Sequence, residues 1–129
     1  MSEKKRILVV EDELQHQEII KMVLEEANYE IIFASDGQEA LEKARQEKPD
    51  LMLLDLMIPK IDGYKVCQML KFDEDYKNIP IIILSAKNEE EDKELAKKTG
   101  ADGYITKPFD FSFLVKKVKE FLEPVIEHS

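Results

Sequence analysis

Carboxylates stand together at Glu11, Asp12 and Glu13, directly after the apolar run Ile7 to Val10. Asp55 closes the run Leu51 to Leu54, Ser85 and the small Ala86 follow Ile81 to Leu84, and Lys107 and Pro108 follow Tyr104 to Thr106. Each of these has an ordinary structural reading when taken singly. Acidic residues before a helix serve its dipole, an Asp or Ser after a strand makes a turn or cap, and a lone lysine is solvated. Four chemically complementary groups at the ends of four separate apolar runs form a different pattern. In an open α/β sheet those ends meet at one edge, which is where ligands bind.

Carboxylates gathered about 4 Å apart repel one another by about 4 kcal/mol at an effective dielectric near 20. They raise one another's pKa unless a cation intervenes. Magnesium suits such a site, since it takes oxygen ligands and is held by one or two carboxylates plus water or phosphate. No His or Cys belongs to the cluster, which argues against zinc. Lys107 and Ser85 add a cation and a hydroxyl donor. With a metal they could neutralise three phosphoryl oxygens, in a transfer whose catalysis is mostly positioning and charge stabilisation. Asp55 is then the candidate nucleophile, forming an acyl phosphate.

The elements that must position these groups are legible as an alternation. Short apolar runs at 7–10, 31–34, 51–54, 81–84 and 104–106 alternate with amphipathic stretches. Several runs are apolar at nearly every position, as in parallel strands covered on both faces. The first helical stretch carries a predicted inward stripe of Ile19, Val23 and Ala27, widened by Ile20 and Leu24. Asp36 and Glu39 have capping-box spacing before Gly37, Leu41 and Ala44. Val66, Cys67 and Leu70 mark a third helix. The fourth is the most polar, with Asn88 as its predicted cap and Leu95 and Ala96 facing inward. In the fifth, Phe111, Leu114, Val115, Val118, Phe121 and Leu122 follow helical spacing. Five such units imply a parallel sheet with helices on both faces.

At 129 residues the chain fits one domain, 1–129, with a core of about 5–122 and a frayed tail at 123–129. Its 43% hydrophobic content argues against disorder. A net charge of −9 and a pI near 4.8 oppose direct nucleic-acid binding. One cysteine excludes an intrachain disulfide and a Cys-based zinc site. With no apolar run of about 20 residues and no signal peptide at Met1 to Arg6, the expected location is cytoplasmic and no membrane contact is expected.

The motifs Ile-Leu-Val-Val-Glu-Asp-Glu at 7–13, Leu-Leu-Asp-Leu-Met-Ile-Pro at 53–59, Ile-Asp-Gly at 61–63, Ile-Leu-Ser-Ala at 83–86 and Gly-Tyr-Ile-Thr-Lys-Pro at 103–108 occur in that order. Together they resemble the receiver domain of two-component response regulators (CheY-like), over about residues 5 to 122. The resemblance implies a flavodoxin-like strand order, 2-1-3-4-5. It implies that Asp12 ligates Mg²⁺ directly, that Glu11 acts mainly through water, and that Met57 offers its backbone carbonyl to the metal. Asp55 would accept the phosphoryl group and ligate the metal as well. Ser85 would hydrogen-bond the phosphoryl group, Lys107 would pair with it, and Tyr104 would turn inward as Ser85 moves. A cis peptide between Lys107 and Pro108 would aim the lysine. The implied donor is a sensor histidine kinase or a histidine phosphotransfer protein. The implied output is a protein target, or a second copy of the chain, at the face made by the fourth helix, fifth strand and fifth helix. Glu at 11 and Ser at 85 depart from the commoner Asp and Thr but keep the carboxylate and the donor. Met57 and Lys87 fall where the family tunes phosphoryl lifetime.

Other residues have plainer expectations. Cys67 reads as core, and His16 and His128 as solvent-side residues without a metal partner. Glu89 to Glu94 reads as a solvated helix face or part of a partner surface. Lys97, Lys116 and Lys117 are expected on the output face, and Phe113 lies off the inward stripe. A phosphorylation-independent interaction module is the alternative function, opposed by the intact set Asp12, Asp55, Ser85 and Lys107. A turnover enzyme is opposed by the lack of a Gly-rich loop after the first strand and of a second carboxylate two residues past Asp55.

Overall fold

Unbroken apolar runs can be buried on both faces only as interior strands, and that is how they are used. The computed structural model describes residues 4–86 and 89–123, except for the side chains at 89, 92, 95 and 96. The strands are β1 (Arg6–Val10), β2 (Glu30–Ala34), β3 (Leu51–Asp55), β4 (Ile81–Ser85) and β5 (Gly103–Thr106). All neighbours pair in parallel, in the order β2-β1-β3-β4-β5. The helices between them are α1 (Leu14–Glu26), α2 (Gly37–Glu47), α3 (Gly63–Lys71), α4 (Glu89–Thr99) and α5 (Phe111–Leu122). The predicted α/β class and strand order are therefore observed.

Strand residues alternate between two cores, because successive side chains point to opposite faces. Leu8, Val10, Met52, Leu54, Ile81 and Ile83 pack with Ala40, Leu41 and Ala44 of α2 and Val66, Cys67 and Leu70 of α3. Ile7, Val9, Leu51, Leu53, Ile82 and Leu84 pack with Ile20 and Leu24 of α1 and Leu114 and Val118 of α5. Cys67 is core, as expected. Asn88, the predicted cap of α4, lies outside the described residues, as do Lys87 and His128. The inward placement expected of Leu95 and Ala96 lies outside the described side chains.

The phase of α1 differs from the predicted stripe. Its buried residues are Gln17, Ile20 and Leu24, while Ile19 is 38% exposed. An apolar count passes over Gln17, which is polar yet faces inward, so the stripe is displaced by one residue. The capping box of α2 forms in modified shape. The Glu39 N–H donates to Asp36 Oδ1 at 2.8 Å, but the Glu39 carboxylate accepts from the Ser35 N–H at 2.6 Å, one residue before the cap.

Two close approaches lock the loop after β3. The Gly37 N–H donates to the Pro59 carbonyl at 3.0 Å, and a Cβ there would stand 2.0 Å from the Ile61 carbonyl oxygen. A Cβ on Gly63 would stand 2.6 Å from the Asp55 carbonyl oxygen. Side chains at 37 and 63 would therefore displace the loop that carries Met57. Lys60, at φ 69°, completes the turn, and its ammonium reaches Asp36 at 3.3 Å.

Candidate functional site

Register brings the predicted groups to one edge. Val10 is level with Leu54, Asp55 with Leu84, and Ser85 with Thr106. Glu11 is one residue beyond Val10 and Lys107 one beyond Thr106, so both leave the sheet where Asp55 and Ser85 end their strands. Asp55 is 4% exposed, Glu11 2% and Ser85 3%. A charged carboxylate so placed must be paired or hydrogen-bonded. Asp55 is both: Oδ1 accepts from the Met57 N–H at 2.9 Å, and Oδ2 accepts from Lys107 Nζ at 2.5 Å. The Lys107 N–H in turn donates to the Ser85 carbonyl at 2.6 Å. The Lys107–Pro108 peptide is cis.

The Glu11 carboxylate accepts from the Glu13 N–H at 3.2 Å and meets His16 Nδ1 at 3.2 Å. Burial pushes its pKa above the ordinary value, and the charge of Asp55 pushes the same way. The Glu13 N–H, the Lys107 charge and the His16 contact pull it down without cancelling the rise. Burial, more than the neighbouring Asp55 charge, therefore disfavours the ionised form of Glu11. Asp12 is exposed beside them.

Two contacts of the site were not anticipated from the sequence. His16 is half exposed, in keeping with the solvent-side placement expected, and its ring also lies against Glu11 and 3.4 Å from Glu13. Its position five residues after Glu11 was the available signal. Gln17 donates to the Glu11 carbonyl at 2.5 Å and approaches Ser35 Oγ at 3.4 Å. Met57 is 81% exposed. Tyr104 is half-buried against the α2–α3 core, and Phe113 is exposed. Lys97 and Lys116 are exposed too, while Lys117 is partly covered and pairs with Glu120 at 3.7 Å.

Among the described residues, no three His, Cys, Asp or Glu side chains form a ready cage for a metal ion. The donors nonetheless fit magnesium, which needs only one or two carboxylates and retains water. Burial raises the pKa of Glu11 and the charge of Asp55 acts the same way, a penalty on negative charge that such an ion would relieve. The expectation that no His belongs to the cluster is corrected by His16, whose Nδ1 lies 3.2 Å from Glu11; one imidazole without a thiolate still falls short of the nitrogen and sulfur set that marks zinc.

A family model described as the response regulator receiver domain matches residues 7–119. The chain belongs to that family, and so is a receiver domain of two-component signalling, a regulatory domain by class. It is 48% identical over 118 residues to the alkaline phosphatase synthesis transcriptional regulatory protein PhoP of Bacillus subtilis, covering 92% of this chain and 48% of that protein. It is 40% identical over 117 residues to the DNA-binding dual master transcriptional regulator RpaA of Synechocystis, covering 91% and 48%. The chain thus spans about half the length of these curated relatives. Among solved structures, chemotaxis response regulator CheY4 of Vibrio cholerae superposes with a TM-score of 0.86 at 29% identity, covering 92% of this chain and 99% of that one. The receiver domain of a sensor histidine kinase from Pseudomonas aeruginosa, described with a magnesium ion coordinated in its active site cleft, gives 0.84 at 28%, covering 93% and 98%. Among the described residues, no helix is long and apolar enough to cross a membrane.

Proposed function

We propose that this receiver accepts a phosphoryl group on Asp55 from a phosphohistidine of a sensor kinase or phosphotransfer protein, and that the modification alters protein contacts at the α4-β5-α5 face. The observation that carries the reading is the Asp55 carboxylate. It is buried at a strand end, held by a lysine and a backbone N–H, and next to a second carboxylate whose pKa is raised.

An Asp55 oxygen attacks phosphorus, the bond from phosphorus to the imidazole nitrogen breaks, and the electron pair stays on that nitrogen. Asp12, Asp55 and the Met57 carbonyl would hold magnesium, with Glu11 acting through water. The ion supplies neutralisation of the phosphoryl oxygens when bound. Lys107 transfers its ion pair from the carboxylate to the new phosphoryl group, and Ser85 donates a hydrogen bond to it. Tyr104 is the relay: it stands on β5, and its register partner Ile83 is two residues before Ser85. Kinship with longer transcriptional regulators supports a regulatory role for this domain within a larger protein. One match of the same fold stands within a sensor kinase, so the attached output is left to experiment.

The test is intact mass after incubation with acetyl phosphate, with and without Mg²⁺, beside Asp55→Ala. The expected result is a Mg²⁺-dependent gain of one phosphoryl group that the variant lacks. Full labelling of Asp55→Ala would remove Asp55 from the role. No gain from either acetyl phosphate or a phosphorylated kinase would favour a phosphorylation-independent module.

A further inference from the structure

Gln17 is a polar residue on the buried side of α1, in line with Ile20 and Leu24, and it is 7% exposed. A leucine would continue that stripe without taking an amide out of water, a transfer that is unfavourable unless hydrogen bonds replace those to solvent. The replacement bonds go to the metal site's framework. The Gln17 amide donates to the Glu11 main-chain carbonyl at 2.5 Å and lies 3.4 Å from Ser35 Oγ. The Glu11 N–H is fixed from β2 by the Ala34 carbonyl at 3.0 Å. Main-chain atoms on both sides of the Glu11 side chain are thus restrained, and the C=O restrained by Gln17 belongs to the peptide joining Glu11 to Asp12.

We propose that Gln17 is a positioning residue for the acid pair: it fixes the Glu11–Asp12 peptide so that both carboxylates face the cation site in one arrangement. The inference rests on the magnesium reading above and goes beyond it by assigning a residue remote from the reacting atoms. Its physical basis is preorganisation. Asp12 is exposed, so its placement depends on the peptide before it. Second-layer restraints of this kind typically change metal affinity by about 10–100-fold when removed.

The experiment compares the 129-residue chain with Gln17→Met, which has similar length but no amide donor. Magnesium is titrated calorimetrically into unphosphorylated protein, and thermal melting is followed in EDTA. The expected result is about a tenfold weaker magnesium dissociation constant with the EDTA melting temperature unchanged or raised. Phosphorylation by acetyl phosphate at saturating Mg²⁺ should return to the wild-type rate, because the reacting groups are intact. Should Gln17→Met fail to fold, Gln17→Asn carries the same expectation, since it keeps the amide but withdraws it by one methylene. Equal magnesium affinity in wild type and a folded variant overturns the role of Gln17. A weakened affinity accompanied by a rate that stays low at saturating Mg²⁺ overturns it too. Wild type that binds no magnesium overturns the metal reading itself, and this inference with it.

Discussion

Replacing Lys107 by Met removes the partner that both pairs with Asp55 and belongs to β5's exit from the sheet. At 2.5 Å, two unit charges attract by about 7 kcal/mol at an effective dielectric near 20. Most of that is offset by the loss of hydration of a carboxylate whose side chain is 5% exposed. Breaking a fully buried pair costs about 3–5 kcal/mol, because it strands a charge. Lys107 retains 28% side-chain exposure, so water reaches the vacated space and the expected loss falls to about 2–3 kcal/mol. For a domain of this size that lowers the melting temperature by about 10 °C. The assay is a double-mutant cycle in EDTA by urea unfolding, using Lys107→Met, Asp55→Asn and the pair. Asp55→Asn is expected to stabilise, since it removes the charge that lies against Glu11. The pair should recover most of the Lys107→Met loss, with a coupling energy above about 1.5 kcal/mol. A Lys107→Met loss within about 0.5 kcal/mol, typical of a surface site, would refute the reasoning. So would additivity of the two substitutions.

Two further outcomes test separate parts of the argument. The folded pKa of Glu11 lies above its ordinary 4.5. Its contribution to stability is therefore complete below that value and is lost as pH rises through the folded value. Glu11→Gln in EDTA should match wild type near pH 4 and exceed it near pH 7, while binding Mg²⁺ less tightly; a deficit at pH 7 would contradict the assignment. Burial pushes the Cys67 thiol from 9.0 to about 11, so at pH 8 the thiolate is about a hundredfold scarcer than in an ordinary cysteine. Iodoacetamide should label Cys67 at least that much more slowly in native protein than in urea, and labelling at the free-thiol rate would show that α3 does not seal the core.

How far the site could be read before folding depended on what fixes each residue. Asp55, Ser85 and Lys107 were legible because each terminates an apolar run. In a parallel sheet the ends of adjacent runs must lie together, whatever the details of packing. Strand order was legible only through family resemblance, since a run of isoleucines does not reveal its neighbours. Helix α1 was misjudged for a different reason. Periodicity sets helical phase only to within a residue, and Gln17, facing inward for its hydrogen bonds, gives no apolar signal. That rotation also hid the contact of His16 with Glu11, because which side of a first turn meets the site depends on phase. Lys60 carries no sequence mark of its left-handed backbone at all; its conformation follows from the grip of α2 on the loop after β3.

The arrangement has a thermodynamic consequence. Lys107 is the ammonium bonded to Asp55, and it leaves Glu11 with a raised pKa. One lysine contact, partly open to solvent, does not offset the burial and like charge that raise it. Phosphorylation replaces the single charge of the Asp55 carboxylate with a phosphoryl group carrying nearly two at neutral pH, a net gain of about one. If Lys107 turns to that group, the carboxylates lose part of their compensation at the moment when the local charge increases. Cation binding and phosphoryl occupancy should then be positively linked, each raising the affinity or persistence of the other by the same factor. On the proposed function, a receiver with this charge balance should be poorly phosphorylated without metal because Lys107 is already committed, a property expected of Glu11, Asp55 and Lys107 together rather than of any one of them.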